Sequence, residues 1–189
     1  MNTKPCEEVR TARLVLRRWR RTDRPAFAAL NADARVMEHL PSVLTRAESD
    51  ALADRIDRHF ENHCFGLWAL EIPGVVPFAG FVGLAVPAFE AHFTPCVEIG
   101  WRLAAEYWGE GYATEAALAA LAVGFGELGF DEVVSFTVPE NLRSRRVMER
   151  IGMAHNPADD FDHPGVSAAR QRHVLYRISA PVLPINRVS

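Results

Sequence analysis

Apolar residues along the chain recur with two different spacings, and each spacing predicts one type of secondary structure. After Thr45, which opens a Thr-Arg-Ala-Glu segment with capping-box spacing, Leu52, Ile56 and Phe60 follow a helical period. Leucines alternate with arginines across residues 13–19, as in a strand that buries one face. The chain therefore combines amphipathic helices with half-buried strands.

The full pattern predicts four helices and six main strands. Helices are expected over residues 23–31, 45–62, 113–128 and 141–151. Strands are expected over residues 13–19, 66–72, 78–86, 97–103, 133–138 and 172–178, with a weaker strand from 154 and an irregular loop over 157–169. This mixed order indicates a single α/β domain, with terminal tails expected at residues 1–10 and 180–189.

Composition narrows the class of protein. A chain of 189 residues that is 49% hydrophobic can form one well-buried core, and its net charge of −3 provides no general attraction to nucleic acid or an anionic membrane. Cys6, Cys64 and Cys96 are odd in number and far apart, which favours reduced thiols in a cytoplasmic protein. We expect neither a secretory signal nor a membrane span, because no apolar run is long enough.

The most informative segment is residues 108–116, where two glycines lead into an alanine-rich helix. Gly109 and Gly111 allow left-handed backbone angles and a close approach of a ligand. Unpaired N–H groups at the start of the helix, together with the positive end of its dipole, form a site for phosphate. An ordinary glycine-rich turn before a helix is the simpler alternative.

Two other glycine-rich phosphate loops do not fit this segment. A P-loop requires a lysine after the glycines, and none follows here. A Rossmann turn requires glycine or alanine where Thr114 stands, a strand directly before the glycines, and an acidic residue that ends the next strand. Residues 104–108 instead separate the preceding strand from the glycines, while Asp131 and Glu132 precede the next strand.

A third pattern does fit. Trp108-Gly109-Glu110-Gly111-Tyr112-Ala113 resembles the Gln/Arg-x-x-Gly-x-Gly/Ala motif of the GNAT acetyltransferase superfamily at its last three positions, with Trp108 as a departure. The form Trp-Gly-x-Gly-Tyr-Ala-Thr-Glu-Ala, which stands at residues 108–116, is similar to that of the RimJ/RimL-like branch of N-acetyltransferases. Residues 141–153 resemble the second signature of that branch, and residues 97–101 resemble its fourth strand. The resemblance extends over residues 11–179.

The resemblance implies a single-domain GNAT fold, in which a mixed, mostly antiparallel sheet is splayed between its fourth and fifth strands and flanked by helices. It implies acetyl-CoA as cosubstrate, with backbone groups of residues 97–101 along the pantetheine and an arginine among Arg143, Arg145 and Arg146 at the 3′-phosphate. The cofactor-binding residues are then Ile99, Gly100, Trp101, Trp108, Gly109, Gly111, Tyr112, Ala113, Thr114, Asn141 and Arg146.

Acetyl transfer also needs groups that handle protons. An α-amino group with a pKa of about 7.7–8.0 is mostly protonated at pH 7, so a proton acceptor is required, and Glu98 in the predicted fourth strand is our candidate. Glu115 and the acidic loop over 159–163 are alternatives. Many members of the superfamily place a tyrosine in the final helix as the acid. Met148 stands there in this chain, and the resemblance to the RimJ/RimL-like branch proposes Ser144 for that role.

Together these features predict an acetyl-CoA-dependent N-acetyltransferase that transfers the acetyl group directly to a primary amine, either a protein N-terminus or a small molecule. A non-catalytic domain that senses acyl-CoA is the alternative, and a homodimer is plausible for the family. We expect no metal site at His59 and His63, which lack a third ligand. We expect no RNA-binding arm at residues 17–21, which are more simply a solvated strand edge.

Overall fold

The computed structural model describes residues 8–181, and Cys6 and most of both predicted tails lie outside this range. Four helices are formed: α1 (Arg24–Ala32), α2 (Arg46–His63), α3 (Tyr112–Gly126) and α4 (Leu142–Arg150). Nine strands are formed: β1 (Glu8–Arg10), β2 (Val15–Arg17), β3 (Leu67–Ile72), β4 (Val76–Ala85), β5 (Glu98–Leu103), β6 (Glu132–Thr137), β7 (Ala154–His155), β8 (Phe161–Asp162) and β9 (Arg172–Ser179).

The strands form a mixed sheet in the order β1-β2-β3-β4-β5-β6-β9-β7, with β8 paired to β9. Every neighbouring pair is antiparallel except β5 and β6, which are parallel and share a single register pair, Glu98 with Val134. Beyond that pair the two strands diverge, so the sheet is open at its centre. The predicted mostly antiparallel, splayed sheet is confirmed, and the predicted fourth strand is β5 because β1 precedes it.

The sheet presents two faces to different helices. On β4, Leu84 lies against Gly124 of α3, while Phe81 packs edge-on against Phe27 of α1, with ring centroids 6.0 Å apart. Successive side chains of a strand point to opposite faces, so these two contacts identify an α3 face and an α1 face. A core of buried apolar residues from the sheet and all four helices joins the two layers.

Local sequence signals account for several helix ends. Thr45 caps α2 by accepting a hydrogen bond from the Glu48 N–H, and the Glu48 carboxylate accepts one from the Thr45 N–H at 2.7 Å, so the capping box is confirmed. Asn141 caps α4 by accepting from the Ser144 N–H at 3.2 Å. Asp23 occupies the N-cap position of α1, but its carboxylate binds Arg17 instead of capping the helix.

Three elements differ from the sequence expectation. Within the predicted strand over 13–19, only residues 15–17 are in β2. Residues 8–10 of the predicted N-terminal tail form β1, which pairs antiparallel with β2. The predicted irregular loop over 157–169 contains the short strand β8, because its backbone hydrogen-bonds to β9. β1 and β8 are defined by pairing with the next strand along the chain, and segments of two or three residues are too short for an alternating pattern to predict.

The expected solvated strand edge at residues 17–21 is wrong for Arg17, which is buried in the fold. Arg17 is 3% exposed and forms a bidentate ion pair with Asp23 at 2.8 and 2.9 Å, and its Nε donates to Glu71 at 2.8 Å. Arg18 lies over the Phe60 ring at 4.4 Å, and Arg20 pairs with Glu71. These contacts hold the β2–α1 connection against β3.

Candidate functional site

A cleft of about 600 Å³ opens where β5 and β6 diverge. The amino-terminal ends of α3 and α4 border it on one face of the sheet, and residues of the α1 face border it on the other. Cavities of this size are typical of sites for small molecules and cofactors. The cleft is lined by both predicted motifs, including the residues at positions 108, 109, 111–114, 141, 144 and 146.

The glycine loop has the geometry that a phosphate site requires. Gly109 and Gly111 have φ angles of +85° and +81°, and α3 begins directly afterwards at Tyr112. A Cβ added at Gly109 would meet nothing within 4 Å, so the backbone angle rather than space selects glycine there. No side chain caps α3, which leaves the first N–H groups of the helix available to a ligand in the cleft.

An arginine that the sequence analysis did not identify braces this loop from behind. Arg13 donates from a terminal nitrogen to the Glu110 carbonyl at 3.0 Å and from Nε to the Glu115 carboxylate at 2.6 Å, and its guanidinium lies 4.8 Å from the centre of the Tyr112 ring. The Thr11 hydroxyl donates to the same carboxylate at 2.6 Å. No local pattern signals this contact, because Arg13 and its partners are about 100 residues apart.

These contacts also decide the role of Glu115. Burial alone would raise the pKa of its carboxyl, but the hydrogen bonds from Thr11 and Arg13 outweigh burial and lower it. A carboxylate held in this way is a poor proton acceptor, and Glu115 does not line the cleft. It is therefore a structural partner of Arg13.

The alanines of α3 explain how the loop is held rigidly. Ala116, Ala117 and Ala120 lie on one side of this alanine-rich helix and are fully buried against the sheet. Close packing of a helix through small side chains fixes its position relative to β4 and β5. The amino terminus of α3 is thus a fixed element of the cleft.

Trp108 stands where the superfamily usually has Gln or Arg, and its contacts are structural. Its indole N–H donates to the Leu103 carbonyl at 2.9 Å, which ties the glycine loop to the end of β5. Arg143 lies over the indole ring at 4.5 Å and pairs with Glu38 at 2.6 Å. Trp108 therefore links the loop, β5 and the start of α4.

The three arginines proposed for a terminal phosphate differ in availability. Arg143 is engaged with Trp108 and Glu38, and Arg145 donates to the Pro139 carbonyl and the Tyr176 hydroxyl. Arg146 is exposed at the cleft rim and makes no hydrogen bond or ion pair with any residue in 8–181. Among the three, Arg146 has the guanidinium that is available to a ligand.

α4 contributes its predicted residues to the cleft. Asn141 bonds the Thr137 hydroxyl of β6 at 2.9 Å in addition to capping α4. Ser144 and Met148 both line the cleft, with Ser144 half-buried and Met148 fully buried. A serine hydroxyl therefore faces the cleft beside the apolar side chain that replaces the usual tyrosine.

β5 supplies residues to both faces of the cleft. Glu98, Gly100 and Arg102 pair with Ala85, Gly83 and Phe81 of β4, and therefore lie on the α1 face. Trp101 lines the cleft from the α3 face, whereas the Ile99 side chain is fully buried in the core. Any contact of Ile99 with a ligand would therefore be through its backbone.

Glu98 is desolvated although part of its surface borders the cleft. Burial raises the pKa of its carboxyl from 4.5 to about 8, and no cation lies close enough to oppose this effect. Burial likewise lowers the pKa of the Arg102 guanidinium to about 10. Arg102 was not among the residues predicted for the site, although its two-residue spacing from Gly100 and four-residue spacing from Glu98 place all three on one face of a strand.

The other candidates for a base lie elsewhere. In the loop over 159–163, Asp159 pairs with Arg177 at 2.9 Å and Asp160 with His155 at 2.7 Å. His163 packs against the Phe89 ring, with centroids 4.3 Å apart. None of these side chains lines the cleft.

The histidine pair on α2 is also structural. The His59 ring accepts a hydrogen bond from the Val86 N–H at 3.0 Å through Nε2, so its Nδ1 donates to the Phe65 carbonyl at 2.9 Å. Both ring nitrogens are thereby occupied. Within residues 8–181, no group of three potential ligand side chains is placed to hold a metal ion, and no helix is long and apolar enough to cross a membrane.

The sheet opens between two parallel strands, and a Gly-x-Gly loop and a free helix amino terminus lie at the opening. This combination defines the class of acetyltransferases that have this fold. Comparison with known proteins agrees: the chain belongs to the GNAT acetyltransferase family, whose domain, described as "Acetyltransferase (GNAT) domain", matches residues 13–154. The site residues that the sequence singled out are mostly within this match.

Individual relatives are similar in sequence or in fold. The uncharacterized N-acetyltransferase YnaD of Bacillus subtilis (strain 168) is 32% identical over 146 residues, covering 77% of this chain and 81% of that protein. An acetyltransferase of the GNAT family from Bacillus anthracis superposes with a TM-score of 0.76 at 24% identity, covering 92% of this chain and 98% of that one. RimJ of Mycobacterium smegmatis, in complex with CoA-disulfide, has a TM-score of 0.72 at 20% identity, covering 90% of this chain and 84% of that one.

Proposed function

We propose that this protein is an acetyl-CoA-dependent N-acetyltransferase of the RimJ/RimL-like branch, which transfers the acetyl group directly to a primary amine. The observation that carries the proposal is the free amino terminus of α3, behind Gly109 and Gly111, at the opening between β5 and β6. A desolvated carboxyl, Glu98, lies in the same cleft on the opposite face.

The residues of the cleft fit coenzyme A. The N–H groups of Tyr112, Ala113 and Thr114 would bind the diphosphate, with the helix dipole adding to their attraction. Arg146 at the rim would pair with the 3′-phosphate, because its guanidinium has no partner among the described residues. The backbone of residues 99–101 and the Asn141 amide border the path between the two strands.

Glu98 is suited to remove a proton from the amine. A base works best when its pKa lies near the operating pH, and the pKa of about 8 for Glu98 is close to that of an α-amino group. Bound acetyl-CoA supplies an activated acyl group with a thiolate as the leaving group. The Ser144 hydroxyl would donate to that sulfur, although a thiol with a pKa of about 8.5 leaves readily without a strong acid.

Direct transfer is supported by the state of the nearby cysteine. Cys96 is the cysteine next to Glu98 in the sequence, and burial, followed by the charge of Glu98, raises the pKa of its thiol to about 11. Thiolate is the nucleophilic form of cysteine, and almost none is present at neutral pH with such a pKa. An acetyl-cysteine intermediate at this position is thus disfavoured.

The remaining expectations stay predictions of the proposal. Cys64 and Cys96 are both free thiols, which supports a cytoplasmic location. A homodimer would be tested by light scattering on the purified protein. The acyl-CoA sensor is favoured by one observation only, the buried Met148 in place of a tyrosine acid.

The test combines binding with turnover. Calorimetry should detect binding of CoA, and free thiol should appear from acetyl-CoA only when an amine acceptor is present. CoA binding without acceptor-dependent thiol release across a broad panel of amines and N-terminal peptides would favour the sensor instead. Absence of CoA binding would overturn both functions.

A matched pair of glycine variants localises the binding site. Gly111 and Gly74 both have positive φ angles, +81° and +76°, and valine at either position is strained to a similar degree. Gly111→Val should weaken CoA binding at least tenfold because the loop amides lose their geometry. Gly74→Val, in the β3–β4 turn away from the cleft, should bind CoA like the original protein. Equal affinity in both variants would remove the loop from the site.

A further inference from the structure

Arg102 is a half-buried cation that has no anion beside it among residues 8–181. It lines the cleft on the α1 face of β5, the same face as Glu98. Within residues 8–181, no carboxylate forms an ion pair with it. Arg17, by contrast, is surrounded by the carboxylates of Asp23 and Glu71. A charge removed from water without a counter-charge is costly, so Arg102 is an exception that needs a reason.

The guanidinium of Arg102 is held in place by neutral groups. One terminal nitrogen donates to the Asn31 side-chain carbonyl at 2.5 Å, and the guanidinium carbon is 5.3 Å from the centre of the Phe81 ring. Asn31 is itself fully buried and donates to the Ser49 hydroxyl at 2.9 Å. The other guanidinium N–H groups donate to no described residue, so they are available to a ligand in the cleft.

The surroundings of Arg102 are otherwise apolar. Val36, Leu40, Leu67 and Ala85 line the cleft together with Arg102, as does His39. Desolvation by these walls lowers the pKa of Arg102 to about 10, so the guanidinium remains charged at neutral pH. An oxyanion from a ligand would gain a strong, bidentate pair there, since little water competes for it.

Glu98 and Arg102 are four residues apart on one face of β5, which places their Cα atoms about 13 Å from each other. Long side chains that lean towards one another across this distance can bind the two ends of one small molecule. Glu98 would face an amino group and Arg102 an oxyanion. The α1 side of the cleft is therefore complementary to a small zwitterion.

We propose that the acceptor is a small amine that bears its own carboxylate, and that Arg102 determines this specificity by binding that carboxylate. This inference rests on the proposed transfer of an acetyl group to an amine. Amino acids, short peptides with a free carboxyl end and ω-amino acids belong to this class. The amino group of such an acceptor takes the acetyl group at Glu98, while its carboxylate is held at the guanidinium.

The experiment compares matched acceptors in the thiol-release assay. Each pair consists of a carboxylate and its amide: leucine and leucinamide, Leu-Gly and its amide, and γ-aminobutyrate and its amide. A charge-assisted bidentate pair predicts a kcat/KM about 10- to 100-fold higher for the carboxylate in at least one pair, with the rates compared directly because the acceptor binds in its ammonium form. Equal values within every pair would overturn the inference while leaving the acetyltransferase function intact. No turnover of any amine would overturn the function itself.

Two variants assign the preference to Arg102. Arg102→Gln should bring the ratio within each pair to near one, with CoA affinity unchanged as evidence that the cleft is intact. Asn31→Asp keeps the arginine but supplies it with an internal carboxylate, so it should abolish the preference as well. The control Arg55→Gln, at an exposed position of α2, should retain it. A carboxylate preference that survives both Arg102→Gln and Asn31→Asp would overturn the role of Arg102.

Discussion

The raised pKa of Glu98 can be tested by protein stability, without any substrate. The variant Glu98→Gln replaces the carboxyl by a neutral amide of nearly the same shape. Because burial raises the pKa from 4.5 to about 8 in the folded protein, the folded state holds a proton that the unfolded state releases across this range. Unfolding then releases a proton, so the contribution of Glu98 to stability falls as the pH rises.

The sign and size of the effect follow from this linkage. Below about pH 4.5 the carboxyl is protonated in both states, and its ionisation contributes nothing to the difference between the two proteins. Above about pH 8 the folded protein must hold a desolvated carboxylate. The full shift corresponds to about 5 kcal/mol at about 1.36 kcal/mol per pKa unit. Water at the cleft screens part of this charge, so we expect Glu98→Gln to gain about 2–4 kcal/mol relative to the original protein between pH 5 and pH 9.

The assay is urea or thermal unfolding of both proteins at several pH values from 5 to 9. A gain of this size corresponds to a Tm difference that grows by about 2–4 °C for each kcal/mol. Other titrating groups are common to both proteins and cancel in the difference. Glu90→Gln, at an exposed loop position, is the control and should show an offset that does not vary with pH. A constant offset for Glu98→Gln as well would refute a raised pKa for Glu98.

The same variant tests catalysis by a different measurement. With an acceptor whose own pKa lies below about 6, kcat/KM should rise with pH to a plateau above about pH 8, because the free protein must first ionise Glu98. Glu98→Gln should lower the plateau by about 10²- to 10⁴-fold and remove the rise. A pH profile that is unchanged by the substitution would mean that another group accepts the proton.

Two further predictions concern residues outside the chemistry. Arg13→Gln should raise KM for acetyl-CoA several-fold with little change in kcat, because Arg13 holds the Glu110 carbonyl and the Glu115 carboxylate behind the glycine loop. Arg10→Gln, which removes an exposed ion pair, is the control. An equal effect of the two substitutions would refute the role of Arg13 in supporting the loop. Asp23→Ala should destabilise the protein by about 3 kcal/mol in urea unfolding, because it leaves the buried Arg17 with only one carboxylate. Asp33→Ala, which breaks the exposed pair with Arg35, should have a much smaller effect, and similar losses would contradict the importance of burial.

The sequence could predict the elements whose signals are local. The capping box at Thr45 and the alanine-rich helix that follows Gly111 depend on residues within one or two helical turns, and both are found. The Gly-x-Gly loop is likewise local, since its positive φ angles are a property of the glycines themselves. These signals predicted the helices and the α3 side of the cleft, whereas the splayed, mostly antiparallel sheet was predicted from the resemblance to the GNAT superfamily.

The rest of the site depends on register and on contacts between distant parts of the chain. The short strands β1 and β8 have few residues of their own, and pairing with β2 and β9 defines them. Arg13 reaches Glu115 across about 100 residues, and Arg102 meets Asn31 only because β5 lies beside α1. Nothing near these residues in the sequence indicates such partners. The acceptor side of the cleft was therefore the part that sequence reasoning described least.

The two unusual charges in the cleft have one common explanation. Burial disfavours the charged forms of both Glu98 and Arg102, and within residues 8–181 neither side chain forms an ion pair. Direct pairing between them would offset both penalties, but they form no ion pair, and the Arg102 guanidinium donates to the Asn31 side-chain carbonyl instead. A zwitterionic acceptor relieves both at once: its ammonium group lowers the pKa of Glu98 towards the carboxylate form, and its carboxylate pairs with Arg102. The acceptor thereby ionises the group that then removes its proton, so its binding and the activation of the base are coupled.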